Sequence, residues 1–344
     1  ALAAPITLTD IPPKQPLGLH ATYMQESVGP LTIEQVIERR ARGDFVQGNG
    51  DILSYGIGAR PVWIHLSVIN QGPEIIDRLL LVENAWLDQL DVYFIEQNHS
   101  VETYEAGDAL AFGDRSIRGR FFAFPHRFDS GMTDIYLRVE TPDPMVVPVF
   151  LLGPQQVAER ETAQGYSYGF LYGYLLALLA YNLFIYFGLS YRRHLLYAGF
   201  IASFVVLNIA YTGHGYAWLW PEYPAWQNWI IPILMVVYGI AGLSFAKEFL
   251  ETRNCFPRIH KNINRMMGAF AVLMLFSLYA ESQLYVVLVA FTFVILFSSS
   301  MILLGASALR SGHRYARYFL FASIASMTGT AFTCLAVWGF IPFS

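Results

Sequence analysis

The fold of the first half of the chain is decided by residues 61–68, which read PVWIHLSV. The four aliphatic residues at even positions fall on one side of an extended chain, whereas Trp63, His65 and Ser67 fall on the other side. A period of two over this length predicts a β-strand with one buried face.

Similar runs recur along the first half, separated by clusters of Gly, Pro, Asn and Asp. They cover residues 75–82, 87–96, 120–128, 134–140 and 145–152. Short strands at this spacing predict an all-β sandwich. Ahead of them, Thr32 is followed three residues later by Gln35, the spacing of a capping box, which predicts one short helix at the edge of the sandwich.

The second half of the chain is predicted to lie in a membrane. Hydrophobic residues make up 55% of the sequence and charged residues 14%, with a mean hydropathy of +0.39, and the apolar excess is concentrated after about residue 160. Six apolar segments approach the roughly 20 residues that span a bilayer. They are residues 167–187, 194–212, 229–246, 266–280, 284–304 and 318–340. The predicted architecture is therefore a β-sandwich followed by an all-α transmembrane bundle.

The predicted domains follow from this change in composition: an N-terminal tail at 1–20, a β-domain at 21–153, a linker at 154–165 and a transmembrane bundle at 166–344. A net charge of −4, with no basic run in the first half, excludes nucleic acid as a partner class. Membrane lipid is the expected environment of the bundle.

The distribution of basic residues predicts the orientation of the bundle. Lys and Arg of the membrane half fall on alternate connections, and the other connections contain neither residue type. By the positive-inside rule the basic connections are cytoplasmic, which places the β-domain outside. The small residues before Pro5 resemble a signal-peptidase site with cleavage near Ala3, which predicts export of the same domain.

The long outer connection is rich in aromatic residues. It contains or adjoins Tyr211, Tyr216, Trp218, Trp220, Tyr223, Trp226 and Trp229. Trp and Tyr concentrate where a bilayer meets water, so the sequence favours an anchoring belt over a ligand pocket for this segment.

The order of several short segments resembles a known receptor family. In the first half these are TIEQV at 32–36, GARPVWIHL at 58–66, LDQLDVY at 87–93 and DIYLRV at 134–139. In the second half they are YNLF at 181–184, GHGY at 213–216, FAKEFL at 245–250 and ARYFL at 316–320. The chain thus resembles the seven-transmembrane receptors with diverse intracellular signalling modules (7TMR-DISM) that carry the second type of extracellular domain (7TMR-DISMED2).

The resemblance implies a bacterial inner-membrane receptor whose periplasmic domain is a jelly roll similar to carbohydrate-binding modules. A glycan or another small molecule is the implied ligand. A seventh span and an output module, a diguanylate cyclase or a histidine kinase of a two-component system, are expected to follow the six predicted spans. The sequence contains no GGDEF turn, phosphate loop or phosphoacceptor-histidine helix, so we assign no catalytic residue. A transporter or channel subunit with a periplasmic binding domain is the alternative.

Four residues are predicted to bind the ligand. Trp63 and Trp86 offer aromatic faces on which sugars stack, and Asn84 and Asp88 offer partners for hydroxyl groups. Packing of the two tryptophans in the core is the competing interpretation.

No cofactor or metal site is predicted. Asp88 and Asp91 are candidate oxygen ligands for calcium, but their spacing lacks a dedicated loop signature, which favours solvated carboxylates. His65, His99 and His126 have no partner at metal-ligand spacing and are interpreted as ordinary surface or core residues.

Gly165, Gly169 and Gly173 form a tandem GxxxG series at the start of the first predicted span. Residues four apart share one face of a helix, and glycines there allow two backbones to approach closely. The sequence favours a contact within the bundle, with a homodimer seam as the alternative.

Overall fold

The computed structural model describes residues 5–10, 15–27, 29–97, 99–312 and 316–337. The predicted cleavage site near Ala3 and the end of the sixth predicted span lie outside these residues. The chain divides into two compact units. The first contains residues up to 163 together with Thr212–Asn228, and we call it the β-domain. The second contains Gln164–Tyr211 and Trp229–Cys334, and we call it the bundle.

Twelve strands lie in the described part of the β-domain. They are β1 (Ile6–Thr7), β2 (Thr22–Gln25), β3 (Val46–Gln47), β4 (Leu53–Ile57), β5 (Val62–Asn70), β6 (Ile76–Val82), β7 (Gln89–Glu96), β8 (Val101–Ala106), β9 (Phe122–Phe128), β10 (Gly131–Glu140), β11 (Pro144–Val147) and β12 (Val149–Leu152). A seven-stranded sheet has the order β3-β2-β5-β10-β7-β8, with β1 parallel to β5. The remaining strands form the antiparallel sets β12-β6-β9 and β11-β4. The predicted all-β architecture is confirmed, and the pairing of its strands is mostly antiparallel.

The main core lies between the sheets and consists of aliphatic and Phe side chains. The even positions of β5 that the sequence placed on one face, from Val62 to Val68, all belong to it. Ile6, Leu8 and Leu17, which fall in the predicted N-terminal tail, are buried in the same core. The first strands therefore contribute to the sandwich rather than preceding it.

A single helix, α1 (Ile33–Arg42), covers the other face of the seven-stranded sheet. It begins with the predicted capping box, in which Thr32 and Gln35 bond reciprocally, and ends at Gly43 in the left-handed conformation. Val36 packs against Trp63 and Tyr136 beneath the helix. The strand β5 is consequently buried on both faces, whereas alternation alone predicted one.

The segment 145–152, which the sequence predicted as one strand, forms two strands in the structure. β11 pairs with β4, and β12 pairs with β6 in a different sheet. Pro148 lies between the two strands. Proline has no backbone N–H to donate, so it is tolerated at this break, where the sheet needs no hydrogen bond from it. The predicted linker at 154–165 forms the first turns of α2 (Pro154–Leu189).

The bundle and its connections contain the remaining described helices. They are α3 (Arg192–Tyr211), α4 (His214–Trp218), α5 (Pro224–Phe249), α6 (Thr252–Cys255), α7 (Pro257–Tyr279), α8 (Gln283–Arg310) and α9 (Ala316–Val337). Six long helices thus coincide with the six predicted spans. Four of them, α2, α3, α5 and α8, are long and apolar enough to cross a membrane.

The core of the bundle is formed by α5, α7, α8 and α9. Glycines let α5 approach α8 closely: a Cβ at Gly239 would lie 2.6 Å from Phe293, and one at Gly242 would lie 2.8 Å from Phe297. α2 and α3 share a smaller cluster around Leu175, Ile201 and Val205. The glycines of α5 thus leave space for aromatic rings of the neighbouring helix.

Candidate functional site

A cleft of about 710 Å³ opens on the β-domain beside the edge strands β8 and β9. This volume is in the range of sites for small molecules. Most of its lining side chains are polar or charged. They include Asp77, Arg78, Glu96, Glu102, Tyr104, His126, Arg127 and Asp129, with Ile75, Leu79, Pro125 and Pro154 as apolar neighbours.

His126 forms a buried part of the wall, with 6% of its surface exposed. Its ring stacks on Phe94 with the two centroids 4.2 Å apart and contacts Phe128 edge-on. Nδ1 lies 2.6 Å from a carboxylate oxygen of Glu102, and Nε2 lies 3.6 Å from one of Glu96. Nε2 has no hydrogen-bond partner within the described ranges. The imidazole is therefore held rigidly while one nitrogen keeps its bonding capacity.

Tyr104 connects the two edge strands across the cleft. Its hydroxyl lies 2.7 Å from Glu102 Oε1 and 2.7 Å from the carbonyl oxygen of Pro125 on β9. Burial, followed by the neighbouring Glu102, raises the pKa of Tyr104, so the hydroxyl stays protonated and remains a donor. The cleft thus presents a phenol, an imidazole, carboxylates and guanidinium groups within one concave surface.

Three of the four sequence-predicted ligand residues lie together, in the connection between β6 and β7. Asn84 is buried, and its side chain donates to Val146 O at 2.7 Å while accepting from the backbone N–H of Trp86 at 2.8 Å. The indole N–H of Trp86 donates to Pro144 O at 3.1 Å. Asp88 accepts from the hydroxyl of Thr141. These polar groups hold the connection against β11 and the chain before it.

Trp63, the fourth residue, lies elsewhere, on the sheet face beneath α1. It is fully buried, its ring stacks on Tyr93 at 5.7 Å, and its indole N–H donates to Glu26 Oε1 at 2.8 Å. The structure therefore does not bring Trp63 together with Asn84, Trp86 and Asp88. Its surroundings match the core-packing interpretation that the sequence left open.

Within the residues that the structure describes, no three His, Cys, Asp or Glu side chains converge as a metal-ligand set. Asp91, one of the two candidate calcium ligands, instead lies 3.9 Å from Arg138 and accepts from Gln89. His65 is buried and bonds to Asp134 at 2.8 Å, as a satisfied core histidine does.

The sequence interpretation missed the role of His126 in the cleft. Its acidic neighbours, Glu96 and Glu102, lie more than 20 residues away in sequence, and the pairing of β7 with β8 brings them together. No local spacing marks such a site. The signal present in the sequence is an excess of charged and aromatic residues at 101–106, which was not predicted as a strand, and within the predicted strand at 120–128.

Gly165, Gly169 and Gly173 lie on an exposed face of α2. A Cβ added at any of them would meet none of the described atoms within 4 Å. The contact within the bundle that the sequence favoured is therefore not seen in the described part of the chain. A homodimer seam along this face stays a prediction.

Cysteine cross-linking tests the homodimer seam. In a Cys255→Ala, Cys334→Ala background, Gly165→Cys is expected to cross-link between chains more efficiently than Tyr166→Cys, which points away by about a quarter turn. Adding Gly169→Ile should abolish the difference, because a branched side chain separates the two backbones. Equal cross-linking at both positions would contradict the seam.

Two family models match the chain and together cover almost all of it. The model described as 7TM diverse intracellular signalling matches residues 164–344, and the model described as 7TMR-DISM extracellular 2 matches residues 18–152. No curated protein matches. The second match coincides with the β-strands and the first with the helices of the bundle. The chain therefore belongs to the 7TMR-DISM family of membrane proteins and carries that family's type 2 extracellular domain.

Proposed function

We propose that this chain is the sensing part of a bacterial inner-membrane receptor that binds a carbohydrate or another small ligand in the cleft of the β-domain. In this proposal the β-domain lies in the periplasm and the bundle passes the signal to a cytoplasmic output module, a diguanylate cyclase or a histidine kinase. Membership of a family described by its intracellular signalling supports the receptor role.

The observation that carries the ligand site is the nitrogen Nε2 of His126. A buried polar atom without a hydrogen bond is costly, and a ligand hydroxyl that reached Nε2 through a small movement of the cleft wall, which now covers this atom, would supply the missing bond. Carbohydrates present several hydroxyls that both donate and accept. The mixture of donors and acceptors around His126 and Tyr104 matches that chemistry better than it matches an apolar ligand.

Titration of the full chain in lipid nanodiscs with a panel of neutral mono- and disaccharides tests the proposal. For a sugar that binds, His126→Gln and Tyr104→Phe should each weaken the affinity about tenfold, the effect of one lost hydrogen bond. Tyr55→Phe is the matched control, because it removes a hydroxyl from the core outside the cleft.

Trp86→Ala separates the cleft from the site predicted by sequence. We expect this variant to bind as the parent does, because Trp86 does not line the cleft. A loss of binding in Trp86→Ala with no change in the cleft variants would place the ligand at Asn84, Trp86 and Asp88 instead.

A further inference from the structure

The aromatic connection between α3 and α5 forms part of the β-domain. We call this segment, Thr212–Asn228, the docked loop. Tyr216 is 1% exposed, and its hydroxyl donates to the carbonyl oxygen of Leu110. The backbone N–H of Phe112 donates to Pro221 O at 3.0 Å. Sequence favoured an anchoring belt for this aromatic segment, but the buried Tyr216 packs against protein.

The docked loop packs on the side chain of Arg115. We call the contact of Arg115 with Phe112, Phe122 and Tyr216 the Arg115 seat. The Arg115 guanidinium lies over three rings, 4.4 Å from the centroid of Phe122, 4.8 Å from Phe112 and 5.5 Å from Tyr216. It also donates to the carbonyl oxygens of Gly119 and Arg120 at 2.8 and 3.1 Å. Two of the rings belong to the segment around β9 and the third belongs to the loop. One cation thus joins the loop to the β-domain through desolvated cation–π contacts.

The ends of the docked loop are held as closely as its middle. Gly213 has a φ of +79°, and a Cβ there would lie 2.8 Å from the Cβ of Ala85. Arg120 donates to Thr212 O at 3.4 Å. Near the other end Gln227 is 1% exposed, accepts from the indole N–H of Trp220 within the loop at 2.9 Å, and lies against the buried side chain of Asp108 outside it. Both ends of the docked loop are therefore held in place, unlike the ends of an ordinary exposed loop.

A buried carboxylate lies beside this contact. Burial, and then the carboxylates of Asp88 and Asp143, raise the pKa of Asp108 well above its ordinary value, while Arg115 and Gln227 act in the opposite direction. Gln227 lies against Asp108, but Asp108 Oδ1 and Gln227 Nε2 form no hydrogen bond of good geometry in the described part of the chain. A contact with incomplete hydrogen bonding is less stable than a fully bonded one. Lower local stability is expected where one part of a protein moves against another.

Chain continuity connects this contact to the membrane helices. α3 ends at Tyr211, directly before the docked loop, and α5 begins within it at Pro224. α2 also begins in the β-domain, where Arg160 binds Glu83 through two hydrogen bonds of 2.5 and 2.8 Å. The β-domain therefore contains the first turns of α2 and α5 and the residue directly after α3, although only α2 follows its last strand in sequence.

We propose that the docked loop is a built-in coupling element: its attachment at the Arg115 seat transmits changes in the β-domain to α3 and α5, in parallel with α2. The direction of this signal rests on the proposed receptor function. The mechanical link does not, because it follows from the contacts of Tyr216, Phe112 and Arg115. A disturbance of the seat should therefore reach the adjoining ends of α3 and α5 without any ligand.

Hydrogen exchange of the full chain in lipid nanodiscs tests the link. Arg115→Met keeps the length of the side chain but removes its charge and donors. We expect amide exchange in residues 212–228 to accelerate about tenfold or more, together with the last turn of α3 and residues 229–235 of α5. Residues 154–163 of α2 and the strands β5 and β10 should be unaffected. Arg60→Met, an exposed arginine of the same domain, is the matched control and should change nothing.

Two outcomes would overturn the proposal. In the first, Arg115→Met leaves exchange in the docked loop unchanged. In the second, the loop exchanges faster but the ends of α3 and α5 do not, which reduces it to a packed surface segment. If Arg115→Met also accelerates β5 and β10, the domain is unfolding, and Tyr216→Phe decides. That variant keeps the ring and loses only the bond to Leu110, so it should show the same pattern at a smaller size, and its failure to do so would equally refute the link.

Discussion

Trp63→Ala is expected to lower the free energy of unfolding of the β-domain by about 3–5 kcal/mol, the usual range for removing a large buried aromatic side chain. Trp63 has no exposed surface, stacks on Tyr93 and packs under Val36 of α1. Its indole also donates to the buried Glu26. The substitution therefore opens a cavity and removes a hydrogen bond from a buried carboxylate at the same time.

Proteolysis of the full chain in nanodiscs at increasing urea concentration measures this effect through loss of the intact β-domain. Trp63→Phe separates the two contributions, because it keeps an aromatic ring near Tyr93 but lacks the indole N–H. It should cost less than Trp63→Ala. Trp86→Ala is the second control, since Trp86 is only partly buried. If Trp63→Ala costs no more than Trp86→Ala, Trp63 is not the core residue that its burial indicates.

Arg138→Met is expected to destabilise the β-domain by a comparable amount, about 3–5 kcal/mol. The Arg138 guanidinium stands among three carboxylates: Glu26 at 3.0 Å, Glu140 at 2.7 Å and Asp91 at 3.9 Å. Glu26 is 4% exposed, so removing the arginine leaves it buried without its cation. Burial pushes the pKa of Glu26 upward, but hydrogen bonds from Arg138 and Trp63 outweigh it and leave the pKa lowered.

The pH dependence of stability distinguishes this ion pair from ordinary packing. A carboxyl group whose pKa is lower in the folded state contributes stability above its unfolded pKa, about 4.3, and that stability is lost as the pH falls through the folded pKa. Without Arg138 the burial of Glu26 is no longer offset, so the pKa of Glu26 in the folded state rises. The free energy of unfolding should then increase as the pH falls from 7 toward about 5. Asp108, whose pKa is also raised in the folded state, gives the parent protein a gain of the same sign, so the expected result is a larger gain in Arg138→Met than in the parent.

The double variant Glu26→Gln, Arg138→Met completes the comparison. Replacing both charges by neutral groups removes the buried unpaired carboxylate, so it should recover part of the stability lost in Arg138→Met. Urea proteolysis at pH 7 and pH 5 gives both quantities. Stability of the double variant below that of Arg138→Met at pH 7 would contradict the role assigned to Glu26.

Local patterns predicted the elements of this protein well. Period-two alternation located β5, β6, β7, β9 and β10, the capping box located α1, and hydropathy located the six long helices. The same patterns did not find the short β1 to β4, which have two to five residues each, or β8, which has six. Strands of that length contain too few alternations to stand out from a turn-rich segment.

The sequence grouped the predicted ligand residues as the structure does only over short distances along the chain. Asn84, Trp86 and Asp88 lie together because they occupy one connection of six residues, whereas Trp63 lies on β5, on the sheet face beneath α1. His126 and Glu102 meet in the cleft because β8 and β9, edge strands of two different sheets, lie side by side there. Neither residue type nor spacing along the chain predicts this contact.

The sequence by itself determined that this chain has a β-domain and a membrane bundle, because alternation and hydropathy are properties of consecutive residues. Only the tertiary structure decided what covers each surface. Alternation cannot show that α1 buries the second face of β5, and the aromatic residues of Thr212–Asn228 have the same composition whether they face a bilayer or the β-domain. Burial of a side chain is fixed by the element packed on it, and here that element is distant in sequence: Tyr216 is covered by the segment around Leu110 and Phe112.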